Sequence, residues 1–182
     1  MISTREQLRG VLDHERALYE GATARDHLER IITHDISLRV YRFVSLLRKT
    51  EFHHNRSGLL SKLCYAWYRR RKNMLGERLG IEIWDNTFDA GLRIYHAGNI
   101  VVNGNSRIGK NCRLHGSNCI GNDGYSEGSP TIGDNVRLGV GAKVIGDVTI
   151  ADDVTIAAGA VVVDSFVERG VTIGGVPARR IK

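Results

Sequence analysis

Ile108-Gly-Lys-Asn-Cys-Arg-Leu114-His-Gly-Ser-Asn-Cys-Ile120-Gly121 and, after a gap, Ile132-Gly-Asp-Asn-Val-Arg-Leu138-Gly-Val-Gly-Ala-Lys-Val144 decide the fold. The pattern continues through Ile150 and Ile156 to Val162, and every sixth residue is aliphatic apart from one skipped place at Ser126. Glycine directly follows Ile108, Ile120, Ile132 and Leu138. A fixed short period of this kind marks a solenoid, here a hexapeptide parallel β-helix. One aliphatic residue per face points inward and stacks on its equivalent one coil on, about 4.8 Å away. Glycine, Asn and Asp are expected at the corners because they tolerate positive φ. An amphipathic helix fails as an explanation, since its apolar period is about 3.6 and it would not favour Val, Ile and Gly. The segment Asn122–Pro130 falls at the skipped place and is expected to leave the coil as a loop.

Outward from this core the composition changes at Gly80. The reading therefore has two domains, a helical one over 1–79 and a β-helix with its C-terminal tail over 80–182. At about eighteen residues per three-sided coil, the second holds roughly five coils. The tail Gly174–Lys182 is expected to leave the far end, and the helical half to cap the near one. In the first domain Ser3-Thr-Arg-Glu6 reads as a capping box. A helix follows to about Tyr19, with a stripe of Leu8, Val11, Leu12 and Glu15 or Leu18. Gly21-Ala-Thr23 interrupts it. Further helices are expected over 24–32, 36–50 and 59–79, the last ending at Gly80.

The whole chain has 182 residues, 25% charged and 42% hydrophobic, with a formal charge of +6. No apolar run approaches the roughly 18 residues that span a membrane, and the polar N-terminus lacks a signal-peptide core, so a cytoplasmic location is expected. Cys64, Cys112 and Cys119 are odd in number and lack metal spacing, which argues against disulfides and zinc knuckles. The two in the repeat read as small packed side chains. His14, His27, His34, His53 and His54 have no partners at ligand spacing. The basic run Arg69-Arg-Arg-Lys72 suits a solvated helix face, or attraction to an anionic cofactor, glycan or membrane surface. Nucleic acid is not expected, because no reading motif is present.

Counting back by sixes from Ile108 reaches Val102 and then His96. A ring there is either a satisfied structural histidine or one with a task, unless the register slips at Gly98. The segments His-Ala-Gly-Asn-Ile-Val-Val-Asn-Gly104, Ile-Gly-Lys-Asn-Cys112, Ile-Gly-Asp-Asn-Val136, Leu-Gly-Val-Gly-Ala-Lys143 and Gly-Val-Pro-Ala-Arg179 resemble the serine acetyltransferase group of hexapeptide acyltransferases. Within that group the chain is most similar to O-acetyltransferases of capsule and exopolysaccharide gene clusters.

The resemblance implies a left-handed β-helix, a homotrimer with a dimer of trimers left open, and acetyl-CoA bound between neighbouring columns without a metal. It implies His96 as general base, with an upstream carboxylate to orient it. Glu82 matches that place, and Asp85 and Asp89 are rivals. The chemistry agrees, since an alcohol attacks a thioester at neutral pH only if its proton is removed as it reacts. Carried over by position, Gly121, Ala142, Lys143, Arg179, Arg180 and Lys182 would hold the cofactor. His115, in the coil after His96, reads as a substrate contact, a cofactor contact or a turn cap.

The family's serine enzymes have an aspartate before the catalytic histidine, where this chain has Tyr95. They also have a histidine before the loop proline, where it has Ser129. Tyr95 offers a flat ring suited to stacking on a sugar. The expected acceptor is therefore a hydroxyl of a cell-surface polysaccharide or its precursor, with peripheral membrane contact in keeping. Serine O-acetyltransferase and a non-catalytic trimeric scaffold are the alternatives. The fold also serves zinc-dependent carbonic anhydrases, but their further histidine pair is missing after residue 80.

Overall fold

A computed structural model describes residues 1–20 and 23–182. Gly21 and Ala22 of the expected interruption lie outside the described residues, as does the side chain of His27. The chain divides into two compact units, Met1–Leu79 and Gly80–Lys182.

The first unit holds α1 (Arg5–Tyr19), α2 (Ala24–Ile32), α3 (Ile36–His54) and α4 (Leu59–Leu79). The cap of α1 is Thr4 with Gln7, one residue later than the Ser3 and Glu6 of the sequence reading. Either pair offers the same hydroxyl and the same reach-back side chain, so spacing alone could not choose. Helix α3 runs a turn beyond Thr50, because Glu51 and Phe52 still face the core. Tyr19, Val40, Phe43, Val44 and Leu47 form that core. Inside it Arg48 Nη2 lies 2.8 Å from Glu15 Oε1, and Arg48 Nη1 lies 2.9 Å from Glu51 Oε2. All three side chains are at most 2% exposed. Burial disfavours the guanidinium charge, but the two carboxylates outweigh it and hold the arginine above its ordinary range. The charged place in the α1 stripe is thus an internal ion triad. No described helix is long and apolar enough to cross a membrane.

The second unit is a three-sided parallel β-helix of five coils. One face stacks β1 (Ile81–Ile83), β3 (Ile100–Val102), β6 (Cys119–Gly121), β9 (Lys143–Ile145) and β12 (Val161–Val162). The second stacks β4 (Arg107–Ile108), β7 (Thr131–Ile132) and β10 (Thr149–Ile150), with Phe88 and Phe166 bridging below and above. The third stacks β2 (Arg93–Ile94), β5 (Arg113–Leu114), β8 (Arg137–Leu138), β11 (Thr155–Ile156) and β13 (Thr172–Gly175).

Every sixth aliphatic residue from Ile108 to Val162 points inward and is at most 3% exposed. Because each packs on its equivalents in adjacent coils, the period alone specifies the register. The chain leaves the column at Asn122–Pro130, between β6 and β7. There Asp123 Oδ1 accepts from the Tyr125 and Ser126 N–H groups, which holds its carboxyl below the usual carboxylate range.

Three details differ from the sequence reading. First, Asn111, Asn135 and Asp153 take the expected positive φ, at 57°, 60° and 60°, as do Gly116, Gly141, Gly146 and Gly159, but not every repeat glycine does. The side chains of Asn111, Asn135 and Asp153 form a ladder, with Nδ2 to Oδ1 distances of 3.2 and 2.9 Å. The glycines at 109, 133 and 139 are needed for space instead. A Cβ on Gly133 would lie 2.3 Å from Asp152 Oδ1 and 2.7 Å from the Asp152 nitrogen. Asp152 Oδ1 is itself fixed by the Asp134 N–H at 2.8 Å. Gly133→Ala is therefore expected to cost about 1–3 kcal/mol, measured as a shift in the denaturant midpoint.

Second, Cys119 is half-buried and points outward between Val101 and Lys143 on its face, whereas Cys112 is packed. Burial pushes the Cys112 thiol up to about 12. Third, the tail does not leave the column. It turns at Val176-Pro177 and returns as β14 (Ala178–Arg180), antiparallel to β13.

Candidate active site

His96 does not occupy an inward place. The inward residue of that coil is Ile94, which stacks under Leu114. From Ile94 to Val102 the corner takes eight positions, where Leu114 to Ile120 takes six. The two extra residues are absorbed near Gly98 (φ 107°) and Asn99 (φ 49°), and the slip puts His96 on the surface. Of the readings left open for His96, the register slip at Gly98 is the one found, because the uniform count by sixes assumed equal corners.

The corner is fixed by backbone hydrogen bonds. The Tyr95 N–H donates to Leu114 O at 2.8 Å, and the Ser117 N–H donates to Gly98 O at 3.0 Å. Gly116 lies directly against the histidine, and a Cβ there would sit 3.1 Å from His96 Cβ. Tyr95 and His115, one coil apart, stack with centroids 4.4 Å apart and planes 16° from parallel. The Arg93 guanidinium sits 5.1 Å from the Tyr95 ring centroid. Tyr95, His96 and His115 are thus brought together at one corner.

His115 is half-buried, and its pKa is lowered by burial, then by His96, Arg113 and Arg137. A histidine with a depressed folded pKa binds fewer protons folded than unfolded. Stability should then rise with pH up to the ordinary value of 6.5 and level off above it. His115→Gln is expected to flatten part of that rise in denaturation curves between about pH 5 and 7. His53, lowered mainly by burial, leaves a remainder of the same sign.

The other expected site residues lie elsewhere on the chain. Glu82 is exposed on the first face, paired in register with Val101. Among the described residues, His96 is hydrogen-bonded to none of Glu82, Asp85 and Asp89. Ser129 Oγ lies 3.4 Å from Asn103 Oδ1, at a different corner. Gly121 closes against Asn103, whose Cβ would be 3.1 Å from an added Cβ. Lys143 is exposed on the first face.

Ala142 is fully buried. Its N–H donates to Gly139 O, and its carbonyl accepts from the Cys119 N–H and Asn118 Nδ2. These groups are bonded inside the column. Arg179 pairs with Asp164 at 2.8 Å and Arg180 with Glu168 at 2.5 Å, all exposed. Such surface pairs are worth about 0–1 kcal/mol and exchange readily for a phosphate. Lys182 is exposed at the tail's end.

Arg113 and Arg137 escaped the sequence reading. Their signal lies one step before each inward residue, in Arg93-Ile94, Arg113-Leu114 and Arg137-Leu138, which share a face.

Residues 129–164 match the family model described as bacterial transferase hexapeptide (six repeats). A serine acetyltransferase of Helicobacter pylori strain J99 is 31% identical over 85% of this chain and 94% of its own length. One of Staphylococcus xylosus is 32% identical over 66% of this chain and 60% of its own. In structure, the serine acetyltransferase of Brucella abortus strain S19 superposes with a TM-score of 0.75 at 24% identity. That superposition covers 97% of this chain and 70% of the other. The shared fold is the left-handed β-helix with a helical N-terminal region.

These relatives overturn the expected polysaccharide acceptor, and they show the serine acetyltransferase type without the special likeness to capsule enzymes. The physical error lies at Tyr95. Its ring is already stacked against His115 and approached by Arg93, so it is not the open platform that sugar stacking needs. The chain belongs to the serine acetyltransferase family of hexapeptide-repeat acyltransferases.

Proposed function

We propose that the protein is a serine O-acetyltransferase that moves the acetyl group of acetyl-CoA onto the hydroxyl of L-serine. The observation that carries this reading is the match to the Helicobacter pylori serine acetyltransferase along 94% of that protein. Coenzyme A is bound in another Brucella abortus serine acetyltransferase structure. The reaction is assigned to the unit Gly80–Lys182.

His96 is the general base. Its exposed ring stands at a corner where a hydroxyl and a thioester can both approach. As the serine oxygen attacks the thioester carbonyl, a ring nitrogen takes its proton. The imidazolium then returns that proton to the departing thiolate, so the side chain ends as it began. Backbone N–H groups at the turns would stabilise the tetrahedral oxyanion. Glu82 is the carboxylate assigned to orient the imidazolium.

Lys143, Arg179, Arg180 and Lys182 suit the polyanionic donor electrostatically, and guanidinium forks match phosphate. The reading includes a homotrimer, in which the loop Asn122–Ser129 of one subunit approaches His96 of the next.

Thiol release from acetyl-CoA, followed with and without L-serine, tests the proposal. Release that strictly requires L-serine supports it. None at saturating serine, from protein that binds acetyl-CoA, removes it.

A further inference from the structure

The third face of the column carries an outward row of arginines. Arg93, Arg113 and Arg137 are register partners in β2, β5 and β8. Adjacent rungs are about 4.8 Å apart, so three like charges are stacked at a spacing that is ordinarily unfavourable.

The other arginines of this unit are occupied. Arg107 Nη1 donates to the carbonyls of Gly104 and Ser106, at 2.9 and 2.8 Å. Arg169 pairs with Asp153, Arg179 with Asp164 and Arg180 with Glu168. Arg93 lies against the Tyr95 ring. Arg113 and Arg137 differ, because among the described residues neither guanidinium has a salt-bridge or hydrogen-bond partner. Both lie close enough to His115 to act on its charge, as does His96. The row therefore runs beside the corner that holds the proposed base.

We propose that Arg113 and Arg137 form the subsite for the acceptor's carboxylate, seated beside His115 so that the acceptor hydroxyl reaches His96. The inference rests on the serine acetyltransferase reading and adds to it the groups that select a hydroxy acid. Two guanidinium groups one rung apart present parallel N–H donors to a planar carboxylate, a geometry that ammonium groups cannot match. An anion there also relieves the repulsion along the row. The subsite supplies charge recognition in a chain that has Tyr95 and Ser129 where the family's aspartate and histidine are expected.

The test has two arms on the full-length protein. In the first, Arg113→Gln and Arg137→Gln are assayed by thiol release. The KM for L-serine should rise at least 10-fold in each, with the KM for acetyl-CoA unchanged within twofold. In the second, the imidazole of His115 is titrated by NMR without acetyl-CoA, in the presence of L-serine or L-serinamide. Saturating L-serine should raise the His115 pKa, L-serinamide should not, and the effect should vanish in Arg113→Gln.

A rise in the acetyl-CoA KM with the serine KM unmoved would overturn the inference, since the row would then bind donor phosphate. So would serine turnover that ignores both substitutions, which leaves the serine acetyltransferase reading standing. An arginine-dependent shift with L-serine but no turnover supports the subsite and removes that reading.

Discussion

His96→Ala should lower kcat for acetyl transfer by about 10²–10⁴-fold, the usual contribution of a positioned general base. Its unfolding midpoint should stay where it is. The second half of this expectation comes from the corner geometry. Had His96 been an inward lattice residue, its loss would have opened the core between Ile94 and Leu114. Those two stack on each other, and the histidine stands outside on a corner two residues longer than its equivalent one coil on. Activity and stability should therefore separate in this variant, with stability followed by denaturant and activity by thiol release. Added imidazole should restore part of the rate by filling the space beside Gly116. Full activity in His96→Ala, against a confirmed wild-type rate, would show that the proton goes elsewhere.

The largest expected effect on stability is in the helical unit. Arg48→Met should destabilise it by about 3–5 kcal/mol, because it leaves Glu15 and Glu51 buried without their countercharge. The cost is that of the orphaned carboxylates more than of the lost attraction. The triple variant Arg48→Met, Glu15→Gln, Glu51→Gln should therefore recover most of it, since neutral amides carry a smaller desolvation penalty. Denaturation of both variants at neutral pH checks this. If the single variant proves as stable as the parent, the triad contributes nothing that packing does not replace.

The solenoid was legible because its rule is local. An aliphatic side chain on one rung meets its own equivalents above and below, so the period of six carries the pairing register directly. The same rule misplaced His96, because a count by sixes is blind to a corner that takes eight. Gly116, Gly141 and Gly159 have the positive φ expected of corner glycines, whereas Gly109, Gly133 and Gly139 are there for space. Sequence shows that a small residue is required without showing whether a dihedral angle or a neighbouring aspartate requires it. Tyr95 misled in a similar way, since a phenol where the family has a carboxylate shows what has been lost. The outward row of arginines appears only when the register brings Arg93, Arg113 and Arg137 together. Residues 20 and 24 positions apart along the chain then become neighbours. Ala142 matches its family motif by position, and both of its backbone groups are bonded within the coil, which its place in the sequence does not show.

The reversed direction of β14 governs how this face of the column ends. Five parallel strands climb from β2 to β13, and each offers the next an identical set of donors and acceptors. A sixth strand in the same sense would leave that template open to another molecule, and the solenoid would be a seed for fibres. By folding back, Ala178–Arg180 occupies the last template with a strand of opposite polarity. Its outer edge presents arginines in ion pairs rather than another aliphatic rung. On this face the tail thus closes the edge of β13 that a further parallel rung would have used.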